Sequence, residues 1–415
     1  MRASRIFYVF VALLALALGA LAVYRAAFNS IERTDFTVYV AAGRAVLEQQ
    51  DIYLAENARG WRYVYPPPFA IALAPLARMP LALGALLWYL LAAAAFGAAA
   101  WMCVAVWPDG ARLRGKPHLI YGLPLLALIS LFASSLLRGQ ASPFMIFFMI
   151  AAFYFHLKER PVAAGFSLAC AALLKVFPIA LIVYFVIRKQ WRAVLATAAA
   201  LALLGIALPS LYWGWQFNLD QIARWVDVVG HPAVMENTAR AQTSDLYSQL
   251  LNTAKPRNQS LEALFLSLGM PAHLTRYAVA AAAALMLAAM WAAARRIAQG
   301  ARGAARGMAE HLLCGAFLCW SLAISPIAEG HYFGALLWPL IALVGYALAD
   351  GAAQRRKLLL TAGATGMIVV QALTALNATA MWRPLCIATL ALWLLCLRAA
   401  VKLSVPAPNA QPCPR

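Results

Sequence analysis

The chain has 415 residues, 64% of them hydrophobic and only 12% charged, with a mean hydropathy of +0.74. A soluble domain carries about 25% charged residues, so an ordinary soluble fold is excluded. The net charge of +19 does not indicate nucleic acid, because most Lys and Arg sit in short loops between apolar runs and no basic face with interleaved aromatics is visible.

Apolar runs of about 20 residues, the length of a bilayer-crossing helix, recur to the C-terminus. The alternating strand-length segments of a membrane barrel are absent. These features predict an all-α polytopic membrane protein of about twelve spans: 6–27, 81–106, 118–136, 141–156, 162–174, 176–187, 193–211, 276–298, 310–326, 331–348, 358–376 and 383–400. The first is longer than the ~7–15-residue core of a signal peptide and reads as an uncleaved span. The fifth and sixth meet at Lys175, either as two short helices or as one helix kinked before Pro178. Residues 1–400 form one transmembrane unit, and the Pro-rich segment 401–415 reads as a disordered tail.

Charge orients the spans. The loops on one side hold twenty basic and four acidic residues, the other side fourteen and eleven. The first side, with both termini, is therefore cytoplasmic. Two long loops, 28–80 and 212–275, face outward, as do the short turns at 137–140 and 327–330. Residues 67–79, PPFAIALAPLARM, are too short for an ordinary span and read as a helix lying in the outer interface. The loop 212–275 alternates Trp, Tyr and amphipathic stretches, which suits short helices covering the outer face.

The first outer loop holds five of the fifteen acids, Glu32, Asp35, Glu48, Asp51 and Glu56, among many Tyr, Trp and Pro. Asp35, in ERTDF, is the candidate general base. It can equally be a helix cap, since TDFTVYVAAGRAVL can open a helix. Its aromatic neighbours, Phe36 and Tyr39, and the following Tyr53, Tyr63 and Tyr65 before the PPP turn, would shape a partly dry pocket around a carboxylate.

Lys175 lies inside an apolar stretch, where an ammonium costs about 2.5–3.5 kcal/mol on insertion scales. It either snorkels to the interface or serves as a cation for an anionic headgroup. Arg138 is the lone charge of an outward turn, either an anchor or a phosphate ligand. Gln140 follows in the same turn. His331 adjoins Glu329 at another outward turn, in a structural role or as an acid–base or phosphate contact. Asn258-Gln259-Ser260 matches the short N-x-S glycosylation pattern and reads instead as a polar patch of the outer loop. Seven Cys show no paired spacing and read as buried apolar residues. No metal site is indicated, and a divalent-metal requirement is left open.

Five pieces in order carry a family resemblance: DFTVYVAAG with DIY and YVYPPPFAIALAPLARMP; RGQASPFMIFFMIAAF; AAGFSLACAALLKVFPIALIVYFVIRKQWRA; NQSLEAL; and SPIAEGHYF. Together they resemble glycosyltransferase family 87, polyprenyl-phosphate-sugar-dependent transferases of the GT-C fold. The last piece departs from the family pattern, which often shows a Trp and paired His where this chain has Ala328-Glu329-Gly330-His331-Tyr332. The resemblance implies a hexose donor, mannose first, on a polyprenyl phosphate. It implies a glycolipid or polysaccharide acceptor and an active site facing the periplasm from a bacterial inner membrane. It gives Asp35 the role of base in an inverting displacement. Lys175, Arg138 and His331 would hold the donor phosphate, and Tyr39, Tyr65, Gln140, Asn258, Gln259 and Glu329 would contact donor or acceptor. No cofactor is implied. A lipid-linked-sugar flippase or transporter, or a non-catalytic lipid-binding protein, are the competing classes. Transporters tend to show inverted repeats and broken helices, and here only the Lys175 break hints at one.

Overall fold

The computed structural model describes residues 2–29, 34–108, 117–230, 257–349 and 383–404, with the isolated positions 363 and 366. The expected span 358–376, the middle of the second outer loop and the tail beyond Ser404 lie outside the described residues. The described residues are helical and carry no sheet, only two isolated bridges, Glu56 with Arg62 and Asn258 with Glu329. This is the all-α, multi-pass membrane architecture the composition predicts.

Among the described residues seven segments are long and apolar enough to cross a bilayer: Ser4–Phe28, Leu81–Ala105, Trp191–Trp213, Ala272–Gly300, Gly303–Ile324, Gly330–Leu348 and Pro384–Leu403. Each coincides with an expected span. The four other described spans are shorter apolar helices: Gly122–Leu137, Ser142–Leu157, Pro161–Leu174 and Phe177–Ile187. The described residues therefore show seven helices of full crossing length, and a count of twelve does not follow from them. The chain breaks at Lys175, whose backbone is extended at φ −150° and ψ 137°. Two short helices meet there rather than one kinked one, and Pro178 forces a 3-10 turn at Phe177–Leu181.

The helices that build the site are α1 (Asp35–Leu47), α2 (Pro67–Ala77), α3 (Leu81–Ala105), α4 (Gly122–Leu137), α5 (Ser142–Leu157) and α6 (Pro161–Leu174). Proline opens α2 and α6, where its missing N–H is no loss and its fixed φ suits the first turn. The predicted interfacial segment 67–79 is thus α2, and it lies against α1. Gly43 permits the contact, because a Cβ there would sit 2.8 Å from the Leu73 carbonyl oxygen.

The two outer loops are stitched together. Gln221 accepts from the Ile52 N–H (3.1 Å), the Trp225 indole donates to the Val64 carbonyl (3.2 Å), and Arg224 meets Asp51 at 3.0 Å. The donors and acceptors on the second loop lie on α7 (Trp215–Trp225), one of the short covering helices the sequence predicts.

Candidate active site

The site forms where four separate pieces of chain meet. The first is the start of α1. Thr34 stands at the cap position and Asp35 is the first helical residue, so the cap alternative for Asp35 does not hold. The second is the turn Arg138–Ala141. The Asp35 N–H donates to the Arg138 carbonyl at 2.8 Å, and the Gln140 amide donates to the Asp35 carboxylate. Gly139 makes this docking possible. Its φ is +63°, and a Cβ would fall 2.7 Å from the Cβ of Phe36. The Trp88 indole holds the Gly139 carbonyl at 3.0 Å.

Tyr39 lies one helical turn on from Asp35. Its hydroxyl accepts from the Ala141 N–H (3.2 Å) and shares a hydrogen bond with Tyr65 (2.8 Å). Tyr65 comes from the extended run before α2, and its ring meets Tyr39 edge to face at 5.4 Å. Burial pushes both phenols above their ordinary range, so they remain protonated at neutral pH.

The third piece is the break at Lys175. The ammonium does not snorkel away. It donates to the Tyr332 hydroxyl at 2.6 Å and lies 3.9 Å from the Tyr332 ring centroid and 5.5 Å from that of Tyr65. Tyr332 in turn stacks on Phe177 at 5.4 Å. The fourth piece is the turn 325–332. Glu329 approaches Nδ1 of His331 at 3.6 Å, and Nε2 of His331 is buried without a partner among the described residues.

Asn258 and Gln259 sit under that turn. Asn258 accepts from the Ala328 N–H (2.9 Å) and donates to the Pro326 carbonyl (2.8 Å), while Gln259 accepts from the Leu385 N–H (3.2 Å). Both side chains are buried and bonded to backbone. They fix the turn that carries Glu329, His331 and Tyr332. Tyr332 is absent from the sequence-derived candidates. The only signal for it was its place beside His331, since an aromatic in an apolar run ordinarily reads as core.

The electrostatics centre on Asp35. Its carboxyl is raised to about 7, first by burial and then by the nearby negative Glu329, while Lys175 and Arg138 pull the other way. A carboxylate with that value titrates near neutrality, where a general base is most effective. Eight of the candidate residues, Asp35, Tyr39, Tyr65, Arg138, Gln140, Lys175, Glu329 and His331, converge here. Among the described residues no three His, Cys, Asp or Glu side chains gather as a metal site would require.

A multi-pass helical membrane protein with a near-neutral carboxylate near two cations has groups that could take a proton and meet an anion. Glycosyltransferase family 87 matches residues 63–326, more than half of the chain, and the chain belongs to that family. It is a membrane glycosyltransferase. It is 26% identical over 340 residues to a polyprenol-phosphate-mannose-dependent alpha-(1-2)-phosphatidylinositol mannoside mannosyltransferase of Mycolicibacterium smegmatis, covering 75% of this chain and 69% of the relative. The crystal structure of ArnT from Cupriavidus metallidurans bound to undecaprenyl phosphate is similar with a TM-score of 0.42 and 12% identity, over 96% of this chain and 77% of that one. Asp35 and Tyr39 precede the matched region, and Glu329 and His331 follow it.

Proposed function

We propose that the protein transfers a hexose, mannose in the first instance, from a polyprenyl-phosphate-sugar donor to a hydroxyl of a glycolipid or polysaccharide acceptor. The observation that carries this reading is the convergence of Asp35 with Lys175, Arg138 and His331 from four separate segments. The acceptor oxygen attacks the anomeric carbon from the face opposite the phosphate. Its proton passes to the Asp35 carboxylate. The bond from the anomeric carbon to the phosphate oxygen breaks, and its electron pair leaves with the polyprenyl phosphate. One displacement inverts the anomeric centre, with base and leaving group on opposite faces as in inverting glycosidases.

Gln140 orients the Asp35 carboxylate, and the Tyr39–Tyr65 pair braces the wall beside it. The leaving phosphate needs cations more than a proton. Lys175 and Arg138 supply them, and the open Nε2 of His331 is placed to join as donor or acceptor. Glu329 and Tyr65 offer hydroxyl-binding groups for the sugar. The GT-C arrangement expected for the family would set this site at the periplasmic face of an inner membrane, with both termini in the cytoplasm. The charge asymmetry between loops supports that orientation. Family membership takes weight from the transporter reading, whose support was the break at Lys175.

The test is transfer itself. Purified protein, radiolabelled polyprenyl-phosphate-mannose and total membrane lipid should yield label in a new glycolipid, with undiminished yield in EDTA if no metal takes part. Label that stays on the donor would defeat the reading. Reporter fusions at Arg188 and Arg302 should report cytoplasm, and fusions at Asn57 and Asn258 the outside.

A further inference from the structure

The turn joining α5 to α6 lies at the far end of both helices from Asp35, since α5 starts beside the Arg138–Ala141 turn and α6 ends at Lys175. Sixteen helical residues in α5 separate the two ends by about 24 Å. A shallow, open crevice of about 620 Å³ lies there, walled by Phe155, Val162, Ala163 and Phe166; its lining is almost wholly apolar, and Arg160 is the one ionisable residue at its edge. Val162 is 65% and Phe166 43% exposed, so the wall is an uncovered apolar surface.

Charge gathers at its mouth. The helix Trp191–Ala202 lies so close to α6 that a Cβ on Gly165 would fall 2.2 Å from the Ala193 carbonyl oxygen. This contact brings the turn 188–192 alongside residues 158–160. Arg188 is already held by Glu310. Lys158, Arg160, Lys189 and Arg192 are exposed, against the single acid Glu159. Trp191, 56% exposed, puts an indole on the same rim, the position such rings take at a lipid–water boundary.

We propose that this crevice binds an anionic phospholipid, with an acyl chain against Val162 and Phe166 and the headgroup phosphate on Arg160, backed by Lys158, Lys189 and Arg192. An acyl chain suits the exposed Val162 and Phe166 side chains, and a phosphate suits the exposed Arg160 beside them, so a phospholipid engages both at once. The general excess of cations on one side of a membrane protein explains basic loops; here the cations also stand at the rim of an exposed apolar surface, where headgroup and acyl chain can be engaged together. The site is separate from the donor-phosphate cations at Lys175 and Arg138.

The test is native mass spectrometry of the full chain in detergent, with dioleoylphosphatidylglycerol or dioleoylphosphatidylcholine added at equal concentration. Wild type should retain the anionic lipid at least about fivefold better, the usual weight of one basic side chain at an anionic surface. Arg160→Gln should lose that preference, and Lys189→Gln with Arg192→Gln should reduce it. Ala163→Phe, which fills the crevice, should weaken retention of both lipids. Each variant should run as a monodisperse peak and keep wild-type transfer activity in detergent, which shows that it is folded. Equal retention of the two lipids by wild type, or an unchanged preference in Arg160→Gln, overturns the proposal. So does a mass doubling that Ala163→Phe abolishes, which would make the crevice a contact between copies. A rise in donor KM with added phosphatidylglycerol also overturns it, since the lipid would then be entering the donor site.

Discussion

Two clusters of charge stand at opposite ends of α5 and α6, and they are built on opposite rules. At the far end Arg188 and Glu310 meet directly, with side chains only 16% and 9% exposed. At the site Asp35 is bonded to an amide and Lys175 to a phenol. Among the described residues neither of these, nor Arg138, forms a salt bridge, although all lie within electrostatic reach of one another. A buried charge with a charged partner is already neutralised and can only hold structure. A charge held by neutral groups is positioned but not neutralised, and it is open to a charged ligand. The far cluster is therefore a bolt, and the near one stays open to an anionic group and a proton, as the proposed mechanism requires.

The largest effects should fall on Asp35. Asp35→Asn keeps shape and hydrogen bonding but cannot take a proton. Turnover should drop by roughly 10²–10⁴-fold, with donor binding retained. The same change should raise Tm in detergent at pH 8. The sign follows from the carboxyl, raised to about 7 from an ordinary 3.8. The fold favours the neutral form, so stability is lost as pH rises between those values, and Asn removes that loss. Near-normal turnover would show that the unpaired carboxylate is not the base.

The bolt should break differently. Arg188→Ala leaves Glu310 buried without its partner and should lower stability by about 3–5 kcal/mol, read as a fall in Tm. Glu310→Gln added to it should recover part of the loss. Turnover per folded molecule should stay near wild type. A catalytic defect without a stability defect would erase the distinction between the two clusters.

Lys175→Ala tests the open cluster from its cationic side. Loss of a charge-assisted hydrogen bond amounts to about 1.5–3 kcal/mol, so donor KM should rise by roughly 10–150-fold. Stability should change little, because Lys175 forms no salt bridge among the described residues and its burial is itself costly. An unchanged KM would return Lys175 to a purely structural role.

Much of this arrangement was legible in the sequence, and the reasons are physical. Spans announce themselves by long apolar runs, and all seven full-length helices were readable that way. Asp35, Lys175 and Arg138 stood out because each charge or acid sat where local chemistry disfavours or does not require it. Two things were not legible. The docking of the Arg138–Ala141 turn on Asp35 depends on Gly139 at positive φ and on its close approach to Phe36, a tertiary contact with no local signature. Asn258 and Gln259 read as surface-patch residues because polar side chains in a loop ordinarily face water. Here they are buried beneath the 325–329 turn and bond its backbone or the neighbouring Leu385.

The pH profile sharpens the comparison further. A base must be unprotonated, so turnover should climb about tenfold per pH unit in the acid range and level off above the Asp35 value of about 7. Arg188→Ala should leave that limb in place, whereas Arg138→Gln should move it upward, because Arg138 is one of the two cations that hold the carboxyl down.

The smallest effect should come from Asp51, and it is the most discriminating control. Asp51 lies in the same loop as Asp35, also beside a tyrosine. One oxygen accepts from the Tyr53 N–H at 2.9 Å, a bond that the Asn side-chain oxygen can keep. The other meets Arg224 at 3.0 Å, but the Arg224 side chain is 54% exposed, so solvent screens the pair. Exposed pairs contribute about 0–1 kcal/mol. Asp51→Asn should therefore shift Tm by little and leave turnover near wild type, within about fivefold on that scale. Its carboxylate follows the rule of the bolt, with its charge already answered by an arginine, and it should have no part in proton transfer. A loss of turnover in Asp51→Asn exceeding that of Asp35→Asn would mean that the reacting hydroxyl lies on the α7 side of the loop, and the base would have to be reassigned.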